Sequence, residues 1–471
     1  MNTQAILQSL MASLPEIFLL LGACLLILVD LMLKGRRVDL IAALSILIVL
    51  MAASLTFVLE MHDNDIVSSL FGGFADRAVY NGMFIADSFS AFFKMIFYIA
   101  TILTVLLSHH YIKLEAESHG EYFVMLLFAL CGMMIMASAT DLISIYVGVE
   151  LLALSLYVLT GFLKHNPRSN ESALKYLILS AVATCLMLYG VSLFYGLSGT
   201  TQLHGLTKAL TAPSSTTPFP TTSIDPAIIL ATLFLLAGFA FKVAAVPFHM
   251  WAPDVYEGAP TPITAFISVG SKAAGFAVLL RVFVDALAPL SDIWLPIFIT
   301  IALATMAMGS LVALVQTNIK RLLAYSSIAH AGFALLGLVA GGEGGVASVM
   351  LYLLIYVFMN LGIFAIIIMM RSGNFSGEAI EDYAGFAKSH RGLALLMLIF
   401  LFSLASIPPT AGFFAKFYIL VALVEQGYVG LAVIAVLLSA VAAFFYIRIV
   451  MLMYMKEEAR PFDLALTPSL R

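Results

Sequence analysis

The sequence predicts an all-α polytopic membrane protein of about thirteen transmembrane helices, and three observations lead there. Of 471 residues, 62% are hydrophobic and 11% charged, with a mean hydropathy of +1.06; a soluble domain carries about 25% charged residues. Apolar stretches of about 20 residues recur along almost the whole chain, each long enough to cross a hydrocarbon core of about 30 Å as a helix. A transmembrane barrel would instead show short segments of alternating polarity, so the period argues for helices.

By hydropathy the spans fall at roughly 14–33, 39–59, 84–108, 121–138, 141–162, 171–196, 227–250, 262–285, 293–315, 322–340, 346–370, 392–425 and 428–455. The N-terminal MNTQAILQSLMASLPEIF has no basic region or small-residue cleavage site, so it reads as the approach to the first span and not as a removed signal peptide. The span at 227–250 runs into Val246-Pro247-Phe248-His249, and its continuation WAPDVYEGAPTP brings three more prolines. Proline removes a helix donor and clashes with the preceding turn, so this crossing is expected to be broken. The stretch 392–425 is too long for one straight crossing and is interrupted by Ser406-Ile407-Pro408-Pro409, which predicts two half-helices. The loop at 197–226, rich in Ser, Thr and Pro (TAPSSTTPFPTTS), reads as a flexible connector.

Basic residues set the orientation. With the loop after the first span on the cytoplasmic side, that side carries Lys34, Arg36, Arg37, Lys113, Lys164, Arg168, Lys320, Arg321, Arg371, Lys388, Arg391, Lys456 and Arg460. The other side carries only Arg77, Lys208 and Arg281. This positive-inside bias puts the N-terminus outside and residue 460 in the cytoplasm, and a miscount of one span would scramble it.

Removing loop and terminal charges leaves Glu150, Lys175, Lys242, Lys272 and Lys416 inside spans. A charged lysine at a helix centre costs about 2.5–3.5 kcal/mol on insertion scales, so several in one bundle point to a proton or ion pathway. Lys272 follows Pro262 by ten residues, which is about 15 Å into its helix. Lys242 precedes Pro247 and Lys416 follows Pro409, so each sits beside a break whose freed carbonyls and water solvate an ammonium group. Lys175 lies about a turn after SNES, close enough to the helix start for snorkelling to account for it. A static salt bridge is the competing role for the other four. His249 and His330 are secondary candidates for a relay. Lys94 and Arg448 read as snorkelling side chains.

Composition also excludes classes. A net charge of −4, a pI near 6.1 and no basic tract give nothing for nucleic acid to bind. Cys24, Cys131 and Cys185 lie in apolar spans, and with no Cys-x-x-Cys pair or His/Cys cluster the chain is expected to hold no iron–sulfur centre, haem, zinc or other metal.

Four stretches, YVGVELLALSLYVLTGF, FKVAAVPFHMWAPDVYEGAPTPITAFISVGSKAAGFAVLLR, QTNIKRLLAYSSIAHAGF and SLASIPPTAGFFAKFYIL, closely resemble the antiporter-like membrane-arm subunits of respiratory complex I, the N-type among them. The resemblance implies a proton-translocating subunit of NADH:quinone oxidoreductase in a bacterial inner membrane, driven by redox chemistry elsewhere. It implies three N-terminal helices (1–120), two inverted five-helix repeats with broken helices (121–285 and 286–455) and a tail (456–471). Bacterial relatives usually carry a fourteenth helix, and since the sequence stops at EEARPFDLALTPSLR, where it would begin, that helix is expected to be either cut off or absent. Carried over by motif, Glu150 and Lys242 are a paired glutamate and lysine, Lys272 the connecting lysine, Lys416 the lysine of the second broken helix and Lys175 an additional N-type lysine. Lysine at 416 disfavours the M-type, and the lack of a long amphipathic extension disfavours the L-type. Partners implied are the L-, M- and K-type subunits and membrane lipid, with NADH, FMN, iron–sulfur clusters and quinone held by partner subunits. Two other readings compete: an Mrp-type cation/proton antiporter or membrane-hydrogenase subunit, and a structural subunit whose buried charges only specify packing.

Overall fold

A computed structural model describes residues 3–33, 38–60, 78–114, 120–211, 225–371 and 377–457. Helices dominate them. In chain order they are α1 (Thr3–Ala12), α2 (Leu14–Leu33), α3 (Val38–Glu60), α4 (Ser88–Leu114), α5 (Glu121–Ser138), α6 (Leu142–Thr160), α7 (Pro167–Ser198), α8 (Leu203–Thr211), α9 (Pro226–Val243) and α10 (Trp251–Gly258). The series continues with α11 (Thr261–Ala286), α12 (Ser291–Ala313), α13 (Ile319–Ala340), α14 (Gly342–Met370), α15 (Phe386–Ser389), α16 (Arg391–Leu404), α17 (Ala411–Glu425) and α18 (Val429–Met455). A two-stranded hairpin, β1 (Ala78–Val79) and β2 (Phe84–Ile85), precedes α4.

Among the described residues twelve helical stretches are long and apolar enough to cross a membrane. The half-helices α16 and α17 supply a thirteenth crossing, as Pro408-Pro409 predicts, and α9 with α10 form the other broken one. Helix starts follow local chemistry: Asp141, Asn166, Asp225 and Asn318 each accept backbone N–H bonds from the first turn, and Pro167 and Pro226 occupy first positions where the absent N–H is not needed.

The core is a set of close helix crossings. A Cβ built on Gly132 would stand 2.6 Å from the Leu152 nitrogen, and one on Gly309 would stand 2.5 Å from the Ala329 nitrogen. Backbones can touch at those two crossings only because a hydrogen stands where a side chain would. Helix α11 is buried from Thr261 to Phe283 and contains two wide π-helical segments, Ile267–Ser271 and Leu280–Ala286.

One construction occurs twice. The residue capping α6, Asp141, bridges antiparallel to Gln202, with Leu142 N–H donating to Thr201 and Leu203 N–H to Thr140. The residue capping α13, Asn318, bridges antiparallel to Ala379, with Ile319 N–H donating to Glu378 and Ile380 N–H to Thr317.

Several expectations need correction. Residues 203–211 of the supposed flexible connector form α8, which buries Leu203 and Leu206; 212–224 lie outside the described residues. Arg281, counted as a loop charge, is buried in the last turns of α11, where it grips Asp87 with bonds of 2.9 and 3.0 Å. Lys320 and Arg321, also counted as loop charges, belong to the first turn of α13. Lys94 does not snorkel: it is 2% exposed and pairs with Glu16 at 2.6 Å. Arg448 reaches the end of the bundle and donates to the Leu314 and Gln316 carbonyls, both at 2.8 Å. Lys34, Arg36, Arg37, Arg77 and Arg460 lie outside the described residues, as does the side chain of Lys113.

Candidate functional site

The first break begins where Ala244 takes a left-handed conformation (φ 58°) and ends α9. Trp251 Nε1 donates to the Phe241 carbonyl at 3.0 Å, adding a second bond to an oxygen that already accepts the Ala244 N–H and pinning the indole against the end of the helix. Val246 N–H donates to Thr305 Oγ1 at 2.9 Å and ties the break to α12. Lys242 is on the last turn of α9, 3% exposed, and its Nζ has no hydrogen-bond partner. Glu150, half-buried on α6, is the charged group that acts on it, yet no contact within 4.0 Å joins the two. The pairing that the resemblance implies is not a closed ion pair here. His249, beyond the break, is largely buried with Nδ1 unpartnered.

Lys272 stands where the first π segment of α11 ends, 3% exposed. Its Nζ donates to the Ser327 carbonyl at 2.7 Å and to Ser327 Oγ. Ser327 Oγ also meets the Tyr256 hydroxyl at 3.2 Å. One turn along α13, His330 contacts Tyr352 through Nδ1 at 2.6 Å and Tyr446 through Nε2 at 3.1 Å, and Tyr446 in turn bonds Ser326. Its imidazole lies within electrostatic reach of both Lys272 and Lys416. Lys416, five residues into α17, donates to Ser439 Oγ at 2.6 Å and lies over the Phe333 ring, 5.0 Å from its centre. His330, Lys416, Ser439 and Tyr446 share a cavity of about 10 Å³, close to the size of one water site. The second break resembles the first in having its loose ends tied: Ser403 Oγ accepts the Gly412 N–H at 2.9 Å.

The arrangement is a set of three deeply buried lysines with a histidine and tyrosine hydroxyls between Lys272 and Lys416. Hydroxyl and imidazole groups both donate and accept, which an ammonium group alone does not. Hydroxyl and imidazole groups beside buried lysines are the kind of set that can both take up and release a proton.

Lys175 lies apart from these lysines. It is half-exposed at the rim of the bundle, bonded to Glu171 at 2.8 Å and Asp254 at 2.9 Å. Asp254 also pairs with Arg321 at 2.9 Å, and Arg321 with Glu257 at 2.8 Å. These side chains border a polar cleft of about 190 Å³.

Selecting ionisable residues by hydropathy passed over Lys320, whose buried ammonium donates to the Glu257 and Ala259 carbonyls at 2.6 and 2.9 Å. It also passed over Ser327, Tyr256, Tyr352, Tyr446 and Asn360, which carry no charge. The signal that marks them is a polar residue recurring in otherwise apolar helix, as in LLAYSSIAHAGF. Among the described residues no three His, Cys, Asp or Glu side chains converge on a metal position.

Comparison with known proteins adds the context. The family described as NADH:quinone oxidoreductase/Mrp antiporter, TM, matches residues 139–443. NADH-quinone oxidoreductase subunit N 2 of Rhizobium meliloti (strain 1021) is 61% identical over 470 residues, covering 99% of this chain and 93% of the relative. A chain of respiratory complex I from Thermus thermophilus superposes with a TM-score of 0.77 at 29% identity, over 96% of this chain and 92% of that one. A chain of the Mrp complex from Dietzia sp. DQ12-45-1b has the same fold, with a TM-score of 0.77 at 22% identity over 98% of this chain and 82% of that one.

Proposed function

From the premise that this chain belongs to the family of NADH-quinone oxidoreductase subunit N, we propose that it carries protons through the membrane arm of complex I along Lys242, Lys272 and Lys416. It is a subunit of the oxidoreductase and supplies no redox chemistry in this reading; NADH, FMN, iron–sulfur clusters and quinone belong to partner subunits, the L-, M- and K-type among them. The supporting observation is the set itself: three lysines, each under 10% exposed, with Lys272 bonded to Ser327 and Lys416 sharing a small cavity with His330.

The first step lies at Glu150 and Lys242. Burial favours the neutral forms of both groups, whereas close approach favours both charged forms, so their separation sets which state prevails. When Glu150 closes on Lys242 the lysine keeps its proton. When contacts with a partner subunit draw Glu150 away, the unpaired ammonium is left in an apolar setting and the proton is driven towards Lys272. Each unit charge moved across 100 mV requires about 2.3 kcal/mol, comparable to about 1.7 pKa units at 1.36 kcal/mol each. Modest changes in pairing therefore suffice.

We further infer that the two halves, 121–285 and 286–455, are inverted repeats. The capped bridges at Asp141 and Asn318 support this, because five crossings separate them and an odd number places them on opposite faces. Lys175 fits a role at the cytoplasmic rim, where Arg168, Arg321, Asp254 and Glu257 gather. The residence proposed is a bacterial inner membrane with the N-terminus external.

The test is NADH-driven quinone reduction and proton uptake in vesicles containing the whole complex, with assembly checked on native gels. Lys242→Ala and Lys272→Ala are expected to lower coupled turnover about tenfold or more, a barrier increase of about 1.4 kcal/mol. Lys242→Arg is expected to fall short of rescue, because guanidinium does not release its proton. Normal rates and proton yield in an assembled Lys272→Ala complex would overturn the reading.

A further inference from the structure

Asn360 is the nineteenth of the 29 residues of α14 and 2% exposed, which places an uncharged amide in the middle of a long apolar helix. Burying an amide without partners costs a few kcal/mol, so its bonds are informative. Its Nδ2 donates to Ser268 Oγ at 2.8 Å and to the Tyr356 hydroxyl at 2.9 Å. Ser268 belongs to the first π segment of α11, four residues before Lys272. Tyr356 lies beside Ser327, the residue that receives Lys272. The amide therefore reaches Lys272 through the helix that carries it, and its second bond holds a tyrosine that packs beside the group accepting from that lysine.

The two bonds have different consequences. The π segment makes one wide turn in place of regular α-helical spacing, and such a turn needs something to hold its register. Ser268 Oγ spends its own proton on the Ala265 carbonyl at 2.6 Å and is left an acceptor, which Asn360 meets. On the other side, the bond from Asn360 fixes the Tyr356 hydroxyl in place beside Ser327. We propose that Asn360 is a positioning residue that holds Lys272 and Ser327 in register for proton transfer, by bonding Ser268 and Tyr356 at once. This deepens the function proposed above and rests on it.

The experiment uses the assembled complex in vesicles. It measures NADH-driven quinone reduction in H₂O and D₂O and the proton yield, for Asn360→Leu, Ser268→Ala, Tyr356→Phe and Lys272→Ala. Asn360→Leu keeps shape and removes both bonds. It is expected to slow coupled turnover about three- to tenfold, the effect of losing bonds of about 1 kcal/mol each. The solvent isotope effect should rise above that of the unmodified complex, because the misaligned transfer becomes rate-limiting. Ser268→Ala removes one hydroxyl and should show the same signs at smaller size, which keeps the test open if Asn360→Leu fails to assemble. Combined with Lys272→Ala, Asn360→Leu should slow turnover no further.

Unchanged turnover and isotope effect in assembled Asn360→Leu would overturn the proposal, as would unchanged values in Ser268→Ala where Asn360→Leu does not assemble. An equal slowing by Asn360→Leu in the Lys272→Ala background would also overturn it, by giving the amide a general packing role. Normal Lys272→Ala turnover defeats the proposed function itself. Impaired Lys272→Ala beside normal Asn360→Leu defeats only the role of the amide.

Discussion

Glu16 and Lys94 form a buried ion pair in the N-terminal helices, outside the lysine set, with side chains 8% and 3% exposed. Removing one member of such a pair leaves a lone charge in an apolar setting and typically costs about 3–5 kcal/mol, whereas replacing both by apolar groups of similar size is often neutral. Glu16→Leu or Lys94→Met alone is thus expected to lower the thermal stability of the purified complex, and the double substitution to restore most of it. A double variant no more stable than either single one would show the two charges to have separate roles. This pair also shows where reading a sequence stops. Lys94 taken alone has the look of a snorkelling side chain, because its partner is 78 positions away and only folding brings α2 and α4 together. Lys242, Lys272 and Lys416 were legible because the cost of a lysine in lipid is a property of its own helix. Their hydroxyl and amide neighbours were not, since Ser and Tyr sit in apolar helices without such a cost.

The elements that sequence reads well are those fixed by local chemistry. Length and apolarity gave the crossings, Pro247 and Pro408-Pro409 gave the two breaks, and Asp, Asn and Pro marked helix starts. Helix α8 was hidden because the Ser/Thr/Pro run that follows it dominates the composition of its loop. The close crossings were also hidden, since any of the 32 glycines could mark one. Gly309 is one such case: its missing Cβ faces the Ala329 backbone, which cannot move aside as a side chain can. Gly309→Ala is expected to destabilise by about 1–3 kcal/mol through overpacking. Gly344→Ala is the control, having nothing within 4 Å of the added carbon. Thermal unfolding of the two variants compares them; equal stability would mean that α12 and α13 part without cost.

For the whole molecule, the long-range contacts agree with the count of crossings. Asp87 before α4 meets Arg281 at the end of α11 on one face, and Lys175 near the start of α7 meets Asp254 and Arg321 on the other. Each partner falls on the face that its crossing number requires. Cysteine accessibility labelling in a background lacking Cys24, Cys131 and Cys185 is expected to place Lys456→Cys on the cytoplasmic side; external labelling would remove a crossing from the count. A second consequence follows from how unevenly the helices are covered. The central window of α11 is 100% buried, whereas those of α2 and α18 are 22% and 28% buried. The chain's own packing therefore shields the helix around Lys272 and leaves most of α2 and α18 open to surrounding lipid or neighbouring subunits. A bilayer that is too thick or too thin tilts or strains the helices it touches. Adjustment to bilayer thickness is thus expected to reach α17, which carries Lys416 and exposes Phe414, Phe417 and Tyr418, before it reaches the buried helix of Lys272.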